Sequence, residues 1–114
     1  MTNKHNNNFN AYQMEQIRLG LEQGLDVSVY AKPEFDYSQM EQIRFGLEKS
    51  LDVSIYANSK FDDEQMQEIR LGLENKIDVS VYAKPEFDYV EMFEIRSVLE
   101  QGFDFSVYEE AELF

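Results

Sequence analysis

Apolar residues in this chain keep a helical rhythm that restarts every 26 residues. In one such stretch Met40, Ile43, Leu47 and Leu51 fall at i, i+3, i+7 and i+11. At about 100° per residue they form one narrow stripe, the face that a helix must bury. Glu41, Gln42 and Lys49 occupy the other side. The start of each stretch is marked in the same way. Phe9-Asn10, Phe35-Asp36, Phe61-Asp62 and Phe87-Asp88 are each followed, three residues after the Asn or Asp, by Gln13, Gln39, Gln65 or Glu91. An N-cap, its capping-box partner and a preceding Phe suited to a hydrophobic staple predict a helix start at all four sites. Gly24 and Gly102 stand where a left-handed residue would end the helix, with Leu25 and Phe103 as the apolar contact that follows. Ser50 and Lys76 weaken that stop signal in the other two copies. Each first helix is therefore expected to run about 13 residues.

A second, shorter segment follows each helix. Asp52-Val53-Ser54-Ile55-Tyr56-Ala57 alternates like a strand, yet Asp opens it as an N-cap would and Ala-Lys-Pro-Glu closes two of the copies. The favoured reading is a short second helix of one to two turns, giving an all-α helix-pair solenoid. The alternative is a helix-plus-strand solenoid, although the leucine spacing and Asn of a leucine-rich repeat are missing. The organisation is a polar tail, 1–8, expected to be unstructured, and one four-unit repeat domain, 9–114. Units 1 to 4 are 9–34, 35–60, 61–86 and 87–112.

Charge changes the picture from architecture toward partners. The chain carries a net −13, with zero cysteines, seven Tyr and nine Phe in 114 residues. Its 43% apolar fraction excludes global disorder, and no apolar run approaches a membrane span. With no secretory signal read at the N-terminus, the protein is expected in the cytoplasm. Like charges argue against direct contact with nucleic acid or an anionic membrane, so a protein partner with a basic surface is the natural complement. The acidity is uneven: the four units carry −2, −1, −4 and −7, and Lys4 of the tail restores the total.

Catalytic chemistry finds no foothold. The lone histidine, His5, lies in the Asn-rich tail without a fixed partner. Phosphate-cradling Gly loops, a nucleophile elbow, metal-binding His clusters and cofactor motifs are absent. Asp62-Asp63-Glu64 lacks the alternating ligands and Gly of a calcium loop and reads as a cap with first-turn acids. No enzyme activity, metal or cofactor is expected.

Three residue types recur in every unit: Arg18, Arg44, Arg70 and Arg96; Asp26, Asp52, Asp78 and Asp104; Tyr30, Tyr56, Tyr82 and Tyr108. Arginines gripping an acidic ligand are one reading. The favoured one is a stacking ladder, with Arg–Asp pairs or Arg-to-carbonyl bonds locking unit to unit and tyrosines as packing rings with surface hydroxyls. Unit 4 departs from the pattern. Val90 and Phe93 replace Ser38 and Glu41, Val98 replaces Gly46, and Phe103 and Phe105 replace Leu51 and Val53. Val90, Phe93 and Ser97 follow i, i+3, i+7 on a face that is polar elsewhere, rimmed by Glu91, Glu94 and Glu100. Asp104, Glu109, Glu110 and Glu112 extend the acidic surroundings. Such a patch marks a candidate partner site or a homodimer contact through unit 4.

The unit Gln-Met-Glu-Gln-Ile-Arg-x-Gly-Leu-Glu-x-x-Leu-Asp-Val-Ser-x-Tyr-Ala resembles a short tandem repeat of uncharacterised proteins from gut-associated Gram-positive bacteria and their mobile elements, over residues 9–108. The resemblance implies no established activity; a mobile-element setting would suit a role against host defence. Two functions are therefore carried forward. One is a non-catalytic protein-interaction module. The other is a nucleic-acid mimic that occupies the basic groove of a DNA- or RNA-binding enzyme. Two units stacked at roughly 8–10 Å each span about 20 Å, where duplex DNA carries about 12 charges. Units 3 and 4 together carry −11, so the density is comparable only in the C-terminal half.

Overall fold

The computed structural model describes residues 8–103. The expectations placed on residues 1–7, including Lys4 and His5, and on residues 104–114, including Asp104, Phe105, Tyr108, Glu109, Glu110 and Glu112, lie outside that range. Among the described residues the chain is all-helical, with four α-helices and no strand: α1 (Ala11–Glu22), α2 (Tyr37–Glu48), α3 (Asp63–Glu74) and α4 (Tyr89–Glu100). Each is 12 residues long, one short of the expected length.

All four capping boxes form. The Asn10, Asp36, Asp62 and Asp88 side chains accept from the N–H groups of Gln13, Gln39, Gln65 and Glu91, which in turn accept from the N-cap N–H at 2.8–2.9 Å. The helix ends are equally uniform. Gly24 and Gly102 have φ of 75° and 86°, but Ser50 and Lys76 take the same left-handed turn at 60° and 61°. The weakened stop signal therefore costs stability and leaves the stop in place: Leu51 and Ile77 N–H still donate back to Gly46 and Gly72 carbonyls at 3.0 and 2.9 Å. Replacing either Ser50 or Lys76 by Gly relieves this strain, and each change is expected to stabilise the fold by about 1 kcal/mol in urea denaturation.

The second segment is shorter than the one to two helical turns expected. It is a single three-residue 3-10 turn, at Val27–Val29, Val53–Ile55 and Val79–Val81. Asp26, Asp52 and Asp78 cap these turns. Each accepts from the Ser N–H two residues on and from that serine's hydroxyl, the latter at 2.5–2.6 Å. With both groups engaged locally, the backbone closes into a turn before a strand ladder can use it.

Neighbouring helices stack on one another, α1 on α2, α2 on α3 and α3 on α4, giving an elongated body of 58 × 26 × 16 Å. The core is one continuous row. Met40, Ile43, Met66, Ile69, Met92 and Ile95 are fully buried, with Phe35, Phe61, Val53 and Val79 beside them. Leu47 is partly buried against this row, so the stripe read from α2 is the buried face.

Candidate functional site

The arginine ladder exists, but its partners are not the aspartates. Arg44 Nε donates to Gln16 Oε1 of the preceding unit at 2.9 Å, Arg70 Nε to Gln42 Oε1 at 3.0 Å, and Arg96 Nε to Glu68 Oε1 at 2.9 Å. The same guanidiniums donate through Nη1 to Glu48, Glu74 and Glu100 four residues on. Arg–Asp pairing is ruled out by position, because Asp26, Asp52 and Asp78 sit beyond the helix ends as caps of the 3-10 turns. Gln42, placed on the solvent side of the stripe by sequence, is thus an inter-unit acceptor. Each rung is a planar fork using two donor directions, a role suited to Arg and not to Lys.

A second ladder runs through the capping-box glutamines. While its oxygen serves the N-cap, Nε2 of Gln13, Gln39 and Gln65 donates to the carbonyl of Phe35, Phe61 and Phe87 in the next unit, at 2.6–2.7 Å. One side chain therefore starts its own helix and fastens the following one. Sequence reading found the first role and missed the second. The available signal was the amide: a Glu serves a capping box as well, yet only Gln supplies the extra donor.

The tyrosines are not rings with surface hydroxyls. Tyr30, Tyr56 and Tyr82 are fully buried, and each hydroxyl donates to a helix carbonyl 14 residues back, that of Gln16, Gln42 or Glu68, at 2.6–2.7 Å. Gly20, Gly46 and Gly72 make this seat possible. A Cβ there would lie 2.1–2.2 Å from the tyrosine oxygen and 2.6 Å from a Val27, Val53 or Val79 methyl. At the fourth register Val98 carries the side chain that the other three positions exclude. Burial pushes all three phenols above their ordinary range; the neighbouring Arg44, Arg70 and Arg96 charges oppose this only in part. A pKa raised in the folded state means stability that is intact below the ordinary tyrosine value near 10 and is lost as pH rises through the folded value. Tyrosinate absorbance is accordingly expected to rise in two stages in alkaline titration, the buried three appearing only as helical circular dichroism collapses.

The partner-site residues read from unit 4 separate into two groups. Glu100 belongs to the α3–α4 junction. It accepts from Arg96 at 2.7 Å and from Asn75 at 2.7 Å, and although desolvation opposes the effect most strongly, these bonds and the Arg96 charge hold its carboxyl below the usual range. The others lie on the outer part of α4. Val90 and Phe93 are 51% and 45% exposed, with the Arg96 guanidinium 5.5 Å from the Phe93 ring centre. Register defines what this face is. Glu91 stands where Gln13, Gln39 and Gln65 fasten the next unit, and Glu94 where Gln16, Gln42 and Glu68 receive the next arginine. Ser97 stands at the register of Phe45, over whose ring the following unit's Arg70 lies at 5.4 Å. Val90 matches Tyr12, whose ring meets Tyr37 of the next unit at 5.4 Å. Val90, Glu91, Glu94 and Ser97 therefore form the stacking face of the fourth unit, open among the described residues, with Phe93 beside it. Asp104, Glu109, Glu110 and Glu112 are outside the described range.

No group of three or more His, Cys, Asp or Glu among the described residues could hold a metal ion, and no described helix is long and apolar enough to cross a membrane. No protein-family model, curated protein or solved structure matches the chain.

Proposed function

We propose that this chain is a non-catalytic, cytoplasmic protein-interaction module whose partner presents a basic surface to the open face of α4. The observation that carries this reading is the pair of carboxylates on that face, where the stacking faces of units 1 and 2 carry two amides and that of unit 3 one amide and one carboxylate. Glu91 replaces the Gln of three units, and Glu94 follows Gln16, Gln42 and Glu68 at the arginine-receiving position. The fold's own use of this position, a guanidinium Nε bonded to a Gln or Glu oxygen, indicates the group it suits: arginine on a helix or extended segment of the partner. Exposed Val90 and Phe93 supply the adjoining apolar contact.

The nucleic-acid mimic has weaker support. Asp36, Asp62 and Asp88 cap the N-termini of α2, α3 and α4, and Asp26, Asp52 and Asp78 cap the 3-10 turns that follow the C-termini of α1, α2 and α3, so each row has one aspartate in each of three units. At roughly 8–10 Å per unit such rows hold about a third of the charge of a DNA strand, with a phosphate every ~3.4 Å.

The test is calorimetric titration with an arginine-rich helical peptide. Neutralising the face with Glu91→Gln and Glu94→Gln is expected to weaken binding about tenfold, and neutralising Glu15 and Glu41 to leave it within about twofold. Equal losses from both pairs would mean unspecific charge attraction and would overturn the assignment of the site.

A further inference from the structure

The two ends of the stack are the separated halves of a junction that the molecule already contains three times. At an internal junction the receiving side supplies an apolar row, a Phe carbonyl and an arginine. In units 2 to 4 the Met and Ile of that row are fully buried by the preceding unit. On α1 the same positions, Met14 and Ile17, are only partly covered, Leu21 is 61% exposed, and they line a groove of about 330 Å³. Arg18 is 56% exposed and, among the described residues, bonds only Glu22 of its own helix, at 2.8 Å. Its counterparts Arg44, Arg70 and Arg96 each reach back to the preceding unit as well. The opposite end of the molecule offers the missing acceptor, Glu94, in the register of Glu68.

We infer that a second copy of this chain docks head to tail, α4 of one molecule against α1 of the next, with Arg18 bonding Glu94 as Arg96 bonds Glu68. Register selects this occupant: among the described residues the N-terminal face leaves Arg18 without the inter-unit acceptor its counterparts have, and the C-terminal face leaves Glu94 exposed in the acceptor register. They are a local pair of opposite charges within a chain whose net −13 otherwise opposes association. The neighbours agree. Val90 sits in the register of Tyr12 and so meets Ala11 of the next copy, an apolar pair where the first internal junction has Tyr12 on Tyr37. Such a contact is heterologous, so it grows into a filament that continues the solenoid.

The same register also limits growth. Glu91 turns a carboxylate toward the Phe9 carbonyl that a Gln would bond, and Ser97 replaces the larger Leu19, Phe45 and Leu71. The junction is thereby weaker than any of the internal three. Glu94 is shared with the proposed partner site, but the inference rests on α1 as well, which that site does not touch.

Sedimentation velocity over a concentration series tests it. The wild type is expected to show an average mass that rises above the monomer with concentration. The variant Glu91→Gln with Ser97→Leu restores the internal pattern and is expected to assemble at a concentration at least about tenfold lower. Arg18→Glu and Glu94→Arg each place like charges at the junction and should be monomeric alone, while an equal mixture of the two reassembles by alternating copies. A wild type that stays monomeric at its highest soluble concentration overturns the inference, even if the restored variant assembles. So does association that is as strong with Arg18→Glu as without it, because a contact indifferent to like charges at Arg18 and Glu94 is not the α4–α1 junction. Both charged substitutions lie at exposed positions, and unchanged circular dichroism separates loss of assembly from loss of fold.

Discussion

Gly46→Ala is expected to destabilise the fold by about 2–3 kcal/mol, lowering the midpoint of thermal unfolding by roughly 10–15 °C. The sign is the informative part. On an exposed helix this substitution stabilises by about 1 kcal/mol, because Ala is the better helix former. Here the new methyl would stand 2.2 Å from the Tyr56 hydroxyl and 2.6 Å from a Val53 methyl. Neither neighbour has room to yield. Tyr56 is fully buried with its hydroxyl bonded to the Gln42 carbonyl at 2.7 Å, and Val53 of the 3-10 turn is buried against α2 at the same glycine. Accepting the methyl means lifting the 3-10 turn away from α2 and breaking that bond. A cycle with Val53→Ala isolates the contact: the two substitutions together should cost at least about 1 kcal/mol less than the sum of each alone. If Gly46→Ala instead raises the midpoint, helix propensity outweighs the seat and the account of the buried tyrosines is wrong.

Arg44→Ala is expected to cost about 2–3 kcal/mol in urea denaturation, against less than about 0.5 kcal/mol for Arg18→Ala. The two arginines share a sequence context and an i, i+4 glutamate. They differ in side-chain burial, 9% exposed for Arg44 against 56% for Arg18, and in having a preceding unit to bond. Removing Arg44 leaves the buried Gln16 oxygen without its donor and strips Glu48 of its partner. It also removes one of the two guanidiniums over the Phe45 ring, the one at 5.1 Å, and leaves that of Arg70 at 5.4 Å. Arg44→Lys should recover less than half of the loss, since a single ammonium cannot bond Gln16 and Glu48 along two fixed directions. Equal effects at Arg18 and Arg44 would mean that the inter-unit bond contributes nothing measurable.

Local signals in this chain are strong because each helix start and stop is written within a few residues and four times over. The capping boxes at Asn10, Asp36, Asp62 and Asp88 formed as the spacing of Asn or Asp and Gln or Glu predicts. The buried stripe at Met40 and Ile43 followed from helical periodicity alone. The left-handed stops at Ser50 and Lys76, where the residue type weakens the signal, nevertheless form at the period set by Gly24 and Gly102.

What the repeat could not say is which residue of one unit meets which residue of the next. A strict period fixes that every arginine has the same neighbour, and leaves 26 registers from which to choose it. Charge and backbone chemistry alone favour Arg–Asp pairs or Arg-to-carbonyl bonds. The stack instead sets Arg44 against Gln16, because Asp26 lies past the helix end, capping a turn. In the same way, tyrosine as a residue type is indifferent between a surface and a buried hydroxyl. Tyr56 is buried because the 3-10 turn folds it back onto a glycine 10 residues earlier in the chain, a contact that exists only once the turn is closed. The role of α4's outer face is likewise a matter of register in space. The sequence marks Val90 and Phe93 as exceptions with Glu91 and Glu94 at their rim, and the stack identifies Val90, Glu91 and Glu94 as members of a junction face. Caps and periodicity are properties of a few neighbouring residues and are fixed by the chain itself. Partners across a stacked interface depend on the rotation and rise between units, which only packing decides.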